Sequence, residues 1–570
     1  MGNAGCSYFH RGGSQPLLGE TIPQHFAAVA ARHPENEAIV SLPQDARLTY
    51  AGLAARADEL ARGLVGLGFS KGDRVGIWST NNLEWLLVQL ATARAGIILV
   101  DINPAYRAAE LEYVLKKSDV QAVFAIPSFR KTDYVAILRQ LVPELDSRQP
   151  AELANARLPA LRRVIVYDPA GADRTQRPAP GFTTWQEVLA ASDQVSVAQL
   201  DAITATLDID DAINIQYTSG TTGFSKAVVL THHNLLNNAY FSALEMRFSA
   251  ADRLCVPVPF FHCFGMVLAN LLCLSVGACI VLPGEYFEPL PVLRAVAKER
   301  CTALHGVPTM FTAELEQPEC RELDLSSLRT GIMAGAPCPP ALMRRVMQDL
   351  HCPEILIGYG QTEASPLTHI TSRDDTLQRR VETVGRNLPH QEVKIVDTET
   401  GQTVEHGAAG EICFRGYHVM KGYYGDPEAT SKAVDADGWL HSGDLGCMDE
   451  EGYVRITGRL KDMVIRGGEN LYPSEIEAAI LEHAAVAQVA VFGVPDDYYG
   501  EEMMAWIQLH AGAQCNEEQL RAHCRERLAH FKVPKYLQFV DEFPMTVTGK
   551  LQKFRMRDIA VEQMKKSEAG

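Results

Sequence analysis

Tyr217-Thr-Ser-Gly-Thr-Thr-Gly-Phe-Ser-Lys226 sets glycines and hydroxyl side chains in front of a single lysine. Gly220 and Gly223 free the backbone to turn successive N–H groups toward an anion. Thr218, Ser219, Thr221 and Thr222 add hydroxyl donors, and Lys226 adds a point charge. The stretch reads as a phosphate cradle. A Ser/Thr/Gly surface loop would share this composition, but residues 212–216 before it and 227–230 after it both carry strand patterns, so the loop is held between two sheet elements. It is not the common P-loop, which needs its lysine directly after a glycine and a hydroxyl residue directly after the lysine; here Ser225 precedes Lys226 and Ala227 follows. A β-branched run then replaces the expected helix, which becomes plausible only from about His233. The expectation is a nucleotide bound on another fold.

The rest of the composition narrows the partners. At 570 residues, 46% hydrophobic and 22% charged, the chain is globular and long enough for two or more domains. A formal net charge of −17 excludes a general nucleic-acid binder while allowing a local basic funnel for a polyphosphate. Thirteen cysteines without any C-x-x-C pair fit neither a disulfide framework nor a zinc site, and point to a reducing compartment. No apolar run reaches the length of a membrane span, and the first residues lack a secretory layout. Met1-Gly2-Asn3-Ala4-Gly5-Cys6 puts cysteine where a myristoylation signal wants Ser or Thr, and Glu568-Ala569-Gly570 is no peroxisomal address. A cytoplasmic location is expected.

Along the chain, helical spacing over 21–33 and 51–67 is followed by a strand at 74–78, a helix at 82–95, a strand at 96–100, a helix at 110–117 and a strand at 120–126. This alternation predicts a layered α/β fold with parallel pairing. Residues 150–180 hold one strand-like run, 163–167, and an exposed Gly/Pro-rich connection. Helices are expected at 292–298 and 341–350 and a strand at 354–357. From about Val384 short strands dominate (392–396, 410–415, 452–456), predicting a smaller sheet. Beyond Arg459 the pattern is self-contained, with strands at 463–466, 486–494, 505–509 and 537–540 and helices at 473–482 and 517–528. The fold class expected is α/β: a large layered N-terminal domain, 1–460, with a smaller β-rich subdomain, and a small α+β C-terminal domain, 461–570.

Five further motifs follow in order. They are Gly335-Ala-Pro337; Tyr359-Gly-Gln-Thr-Glu363; Gly438-Trp-Leu-His-Ser-Gly-Asp444; Gly458-Arg-Leu-Lys-Asp-Met-Val-Ile-Arg-Gly-Gly-Glu-Asn470; and Pro544-Met-Thr-Val-Thr-Gly-Lys550. Singly each has a bland reading: a surface Thr-Glu at a helix start, an isolated Asp or Arg, a Gly-Gly hairpin turn, a solvated terminal lysine. As an ordered set with the cradle, spanning about 48–557, they resemble the adenylate-forming superfamily of acyl-CoA synthetases, luciferases and peptide-synthetase adenylation domains. The resemblance implies that ATP is held by Thr218, Ser219, Gly220, Thr221, Thr222, Gly223, Phe224, Ser225 and Lys226, with Gly335, Ala336, Pro337, Tyr359 and Gly360 along the adenine. It gives Thr362 the α-phosphate and Glu363 a Mg²⁺ ion, which as a hard cation takes one or two carboxylates plus phosphate oxygens. Asp444 and Arg459 become the ribose contacts, Lys461 the hinge of a mobile C-terminal domain, Gly467 and Gly468 the approach of CoA, and Lys550 the catalytic lysine that stabilises charge building on the α-phosphate. Ser225 and Ala227 stand where the family usually has proline and glycine around the lysine, and Ser442 where threonine is common.

These parts match one reaction: carboxylate and ATP give acyl-AMP and pyrophosphate, then acyl-AMP and CoA give acyl-CoA and AMP. Asn103-Pro-Ala-Tyr-Arg107, Asp211-Ala-Ile-Asn-Ile-Gln216 and Pro259-Phe-Phe-His-Cys-Phe-Gly265 look most like medium-chain fatty acyl-CoA synthetases. The implied acyl wall is Phe260, Phe261, His262, Phe264, Val307, Met310 and Phe311, with Leu367, and it holds no Lys, Arg, Asp or Glu. Such a wall suits an uncharged chain; His262 either shapes it or is simply packed. A peptide-synthetase domain is disfavoured, since 259–265 lacks the aspartate expected to hold an ammonium. An aryl- or other carboxylic acid-CoA ligase, luciferase-like oxygenation and a nucleotide-binding protein without catalysis remain alternatives, and monomer against homodimer is left open.

Overall fold

The computed structural model describes residues 5–171, 177–218, 225–466, 469–496, 498–546 and 551–568. They form two compact units, one of residues 10–392 with 414–440, the other of 1–9, 393–413 and 441–570.

The larger unit is built on two sheets. In the eight-stranded one, Phe182–Thr184, Arg163–Val166, Ala122–Ala125, Arg74–Trp78, Ile98–Ile102 and Ala212–Tyr217 run parallel in that spatial order. Ala227–Thr231 then turns back antiparallel on Ala212–Tyr217, and Gly422–Tyr423 closes the edge. Parallel pairing, the expectation from the alternating pattern, ends where the phosphate cradle begins. The helix Leu83–Ala95 is buried over nearly its whole surface, so it has to be capped by protein groups rather than water. Asn82 Oδ1 accepts the Trp85 N–H at 2.9 Å, and Gly96 terminates the helix at φ +68°, a left-handed conformation that suits glycine. Gly96 therefore ends a helix rather than opening a strand, and the next strand is Ile98–Ile102, later than the expected 96–100.

In the nine-stranded sheet the order is Arg386–Asn387, Leu367–Ile370, Glu354–Gly360, Thr330–Met333, Ala303–Leu304, Arg253–Cys255, Cys279–Leu282, Glu37–Ser41 and Ala46–Thr49. From Glu354–Gly360 through to Glu37–Ser41 every pairing is parallel. A parallel sheet needs cover on both faces, and the strand interiors are accordingly Val/Ile/Leu-rich and buried.

In the smaller unit, alternation along Val486–Asp496 and Gly500–Leu509 sends Val489, Val491, Met503, Ala505 and Ile507 into one core and Ala490, Phe492, Val494, Met504 and Trp506 into another. The helices Pro473–Leu481 and Glu517–Arg527 supply Ile476, Ile480, Leu520 and Cys524 to the first, and Lys553–Glu568 supplies Met556 and Ala560 to the second. This α+β body matches the expected C-terminal domain in its elements. Elements on the two sides of 460/461 also meet within this unit. Pro473–Leu481 packs on Val454–Arg459, and Ser474 Oγ donates to the Thr457 carbonyl, which ties the hairpin before the expected boundary to the elements after it.

Candidate active site

Four of the singled-out segments leave one edge of the nine-stranded sheet. Residues 259–265 follow Arg253–Cys255, 306–311 follow Ala303–Leu304, 335–337 follow Thr330–Met333, and 361–363 follow Glu354–Gly360. Because these strands are parallel, all four segments emerge at their carboxyl ends, where open α/β sheets bind ligands. Gly335 takes φ +86°, and a Cβ on Gly360 would stand 1.9 Å from the Pro366 carbonyl oxygen, so both glycines are required by the backbone.

The strands on either side of the expected cradle pair antiparallel. Tyr217 pairs with Ala227, and the Thr218 N–H donates to the Lys226 carbonyl at 3.1 Å. Tyr113 Oη donates to the Ser225 carbonyl at 3.1 Å, while Tyr217 Oη lies 2.5 Å from Ser118 Oγ. Both ends of the loop are thus pinned to the helix Ala108–Lys117 and its C-terminal residue. Ser219, Gly220, Thr221, Thr222, Gly223 and Phe224 lie outside the described residues. Behind the hairpin, Thr231 Oγ1 accepts the Asn234 N–H and Asn234 Oδ1 accepts the Thr231 N–H. This reciprocal cap starts the helix His232–Glu245 close to the expected His233.

Thr362 is buried, with its hydroxyl 3.7 Å from Cys263 Sγ. Glu363 is half-buried; its Oε1 accepts the Tyr423 hydroxyl at 2.9 Å, and its carbonyl accepts the Met420 N–H at 2.9 Å. Lys226 Nζ stands 4.6 Å from the Tyr423 ring centroid. Burial, and then the Glu363 charge, push the Tyr423 phenol well above its ordinary pKa, so it remains a donor. A hard divalent cation takes one carboxylate together with phosphate oxygens and water, and Glu363 supplies that donor type.

Of the expected acyl wall, Phe260 is fully buried and packs on Trp85 with centroids 5.3 Å apart; its N–H donates to Asn81 Oδ1 at 2.8 Å. Phe311 is also buried, and a Cβ on Gly306 would press on its ring at 3.0 Å. Phe264, Val307, Met310 and Leu367 are buried, whereas Phe261 and His262 are half-buried. His262 Nδ1 accepts the Phe264 N–H at 3.1 Å, a capping role. Phe264 stacks on His305 at 5.5 Å. His305 Nδ1 accepts the Ile332 N–H and Nε2 donates to the Leu268 carbonyl, and burial lowers its pKa to about 4, so it sits in the wall as a neutral ring.

The expected ribose contacts belong to the smaller unit. Asp444 and Arg459 are register partners in the antiparallel pair Leu440–Met448 and Val454–Arg459, with Arg459 Nε 3.1 Å from Asp444 Oδ1. The approach to Asp444 is braced: Ser442 Oγ accepts the Asp444 N–H at 3.0 Å, Glu411 Oε1 accepts the Gly443 N–H at 3.0 Å, and Glu411 Oε2 lies 2.8 Å from His441 Nδ1. Cys413 Sγ is 3.5 Å from the same nitrogen. Lys461 is exposed in the short turn Leu460–Asp462. Gly467 and Gly468 lie outside the described residues, but Val464–Arg466 and Glu469–Leu471 on either side pair antiparallel, Arg466 opposite Glu469, as a hairpin requires. Lys550 also lies outside them; Met545 and Leu551, on either side of it, form an antiparallel bridge.

Sequence reading missed Tyr423, Cys263 and the Glu411–His441 brace. Gly422-Tyr-Tyr-Gly425 carries a strand-and-turn signal, yet nothing local pairs it with a carboxylate 60 residues away.

Residues 26–424 match the AMP-binding enzyme family, and 475–550 match the AMP-binding enzyme C-terminal domain. The chain is 48% identical to the Bacillus subtilis protein YngI, named provisionally as an acyl-CoA synthetase, over 96% of this chain and 98% of that one. It is 42% identical to the human mitochondrial medium-chain acyl-CoA ligase ACSF2, over 97% and 90% respectively. The crystal structure of ATP-bound MatB from Rhodopseudomonas palustris superposes with TM-score 0.80 at 31% identity, covering 95% of this chain and 99% of that one.

Proposed function

The chain belongs to the AMP-binding enzyme family, and from that premise we propose that it is an ATP-dependent acyl-CoA ligase acting on medium-chain fatty acids through an acyl-adenylate. The observation that carries the reading lies in the larger unit: the edge strand of the cradle hairpin donates the Tyr423 hydroxyl to Glu363, joining a phosphate loop to a carboxylate suited to the cation that accompanies ATP.

A carboxylate resists attack because it is anionic and would have to expel oxide. Attack by its oxygen on the α-phosphorus releases pyrophosphate and leaves AMP as the group that a thiol then displaces. In this scheme the loop donors and Lys226 hold the phosphates, and Thr362 hydrogen-bonds the α-phosphate. Glu363 would hold the Mg²⁺ that accompanies ATP, and the ion would supply neutralisation of phosphate charge. Asp444 and Arg459 hold the ribose. Lys550 acts in the first step; Lys461, as a hinge, and Gly467 with Gly468 serve the second. The residues after 460 form the domain that moves. Thirteen cysteines outside any disulfide support a reducing, cytoplasmic setting, and no helix among the described residues is long and apolar enough to cross a membrane.

The acid is read from the wall. Phe260, Phe264, Val307, Met310, Phe311 and Leu367 are apolar and buried, which supports an uncharged chain. Each added methylene should contribute about 0.8 kcal/mol until the pocket ends, and the relatives named medium-chain ligases support the length. ATP–pyrophosphate exchange with acetate, octanoate, palmitate, benzoate and a dicarboxylate tests this. Octanoate should give the highest kcat/KM. Preference for acetate or benzoate, or ready use of the diacid, overturns the chain assignment; nucleotide binding without exchange on any acid overturns the ligase reading itself.

A further inference from the structure

Tyr423 is 8% exposed and its backbone is fixed against the cradle. It pairs with Val228, its N–H donates to Thr430 Oγ1 at 2.9 Å, and on either side the Lys421 and Tyr424 N–H groups donate to the Val229 and Ala227 carbonyls. From this position the hydroxyl reaches Glu363 Oε1 while Lys226 Nζ rests over the ring face. A buried tyrosine that needed only to satisfy its hydroxyl could use a backbone carbonyl, as Tyr50 does with those of Cys273 and Ala278. Tyr423 instead donates to the carboxylate of the strand-end motif, and it is the side chain shared by that carboxylate and the loop lysine.

We propose that Tyr423 is the positioning residue of the phosphate-binding half of the site, aiming Glu363 at the divalent cation of the nucleotide and giving Lys226 a resting place on its ring. A carboxylate held at one oxygen by a fixed phenol loses rotation about its last bond, so its second oxygen is presented in one direction. Hydrogen-bonding partners of this kind orient metal-ligating carboxylates, and their removal typically weakens metal binding about 10- to 100-fold. The ring contributes separately, because a cation over an aromatic face is attracted by its quadrupole. With the second hold of Met420 on the Glu363 carbonyl, the carboxylate is oriented relative to the loop before any ligand arrives.

The inference rests on the reading of Glu363 as the cation ligand, and the test separates the two. Mn²⁺ binding to the full chain with a non-hydrolysable α,β-methylene ATP is followed by the EPR signal of free Mn²⁺, alongside analogue binding without cation and thermal unfolding. Tyr423→Phe keeps the ring and removes the hydroxyl. It should weaken Mn²⁺ about tenfold while leaving metal-free analogue binding and Tm near those of the parent. Tyr423→Leu should weaken metal-free analogue binding as well, since Lys226 loses its ring. Tyr423→Phe combined with Glu363→Gln should bind Mn²⁺ no worse than Glu363→Gln alone, because the phenol acts through that carboxylate. A Phe variant that takes up Mn²⁺ like the parent, or a double variant whose losses add, overturns the role of Tyr423 alone. A parent that binds the analogue but takes up no Mn²⁺ with it overturns the reading of Glu363 and this inference with it.

Discussion

The two units present their candidate residues in different ways. In the larger one, Thr362, Glu363 and the cradle flanks sit at ends of buried strands and are braced by side chains: Tyr113 and Tyr217 at the loop ends, Tyr423 at the carboxylate, Cys263 beside Thr362. In the smaller one, Lys461 lies in an exposed turn, Gly467 and Gly468 fall between two short paired strands, and the Arg459 side chain is 51% exposed. Asp444 stands between the two styles, buried and approached through the Glu411–His441 brace. Groups that hold a ligand throughout a reaction gain from preorganisation. Groups needed for only one half-reaction gain from sitting on elements that can reorient at a single turn. On the proposed reading the braced set would serve both half-reactions and the exposed set would divide them.

Substitutions that separate the half-reactions test this contrast most strongly. Lys550→Ala should lower acyl-adenylate formation by about 10²- to 10³-fold, as loss of a charge-stabilising donor does, while CoA transfer from supplied acyl-adenylate stays near the parent rate. Equal loss in both half-reactions would remove the division of labour. A smaller effect is expected at the turn itself. Lys461→Pro fixes φ near −65°, a value helical turns already use, so adenylation should persist while thioester formation falls about 10- to 100-fold through misplaced groups. If this variant makes thioester at the parent rate, the chain turns elsewhere.

How far the sequence reveals these arrangements depends on the range over which they are encoded. The strands on either side of the cradle, the helix Leu83–Ala95 and the strand Val486–Asp496 are set by neighbours a few residues apart, and periodicity finds them. Gly96 shows the limit of that signal: an apolar run after a glycine looks like one strand, but the left-handed cap belongs to the preceding helix. The Tyr423–Glu363 bond and the Glu411–His441 pair join residues 60 and 30 positions apart, and no local pattern specifies which distant side chains meet. Nor does burial separate core from pocket wall: Phe260 and Phe311, expected in the acyl wall, are both buried among apolar side chains.

The mildest test of the contrast is acid. The larger unit buries His232 and His305, with pKa values lowered to about 4, and His369 and His418, lowered to about 3, in each case chiefly by desolvation from 6.5. A histidine whose folded pKa is depressed contributes stability that is complete above the unfolded value of 6.5 and is lost as pH falls through the folded one. Asp101 and Glu314, also buried in this unit, have pKa values raised by desolvation above 3.8 and 4.5. Their contribution runs the other way, present below those unfolded values and lost as pH rises through the folded ones. Below pH 6.5 the unfolded chain therefore gains protons on these histidines that the folded one does not take up, so their contribution to stability falls as pH falls, and the two acids oppose it. Tm should accordingly fall as pH is lowered from 6.5 toward about 5. In the smaller unit the only histidine with a resolved shift among the described residues is the modestly buried His483; its lowered carboxylates, such as Asp496 at about 2, give way only in stronger acid. Hydrogen exchange at about pH 5, corrected for intrinsic rates, should thus show protection lost across residues 10–392 while the strands Val486–Asp496 and Gly500–Leu509 keep theirs. A Tm that keeps rising as pH falls from 6.5 to 5, or protection lost equally in both units, would mean that the buried histidines do not set the weak point of the larger unit.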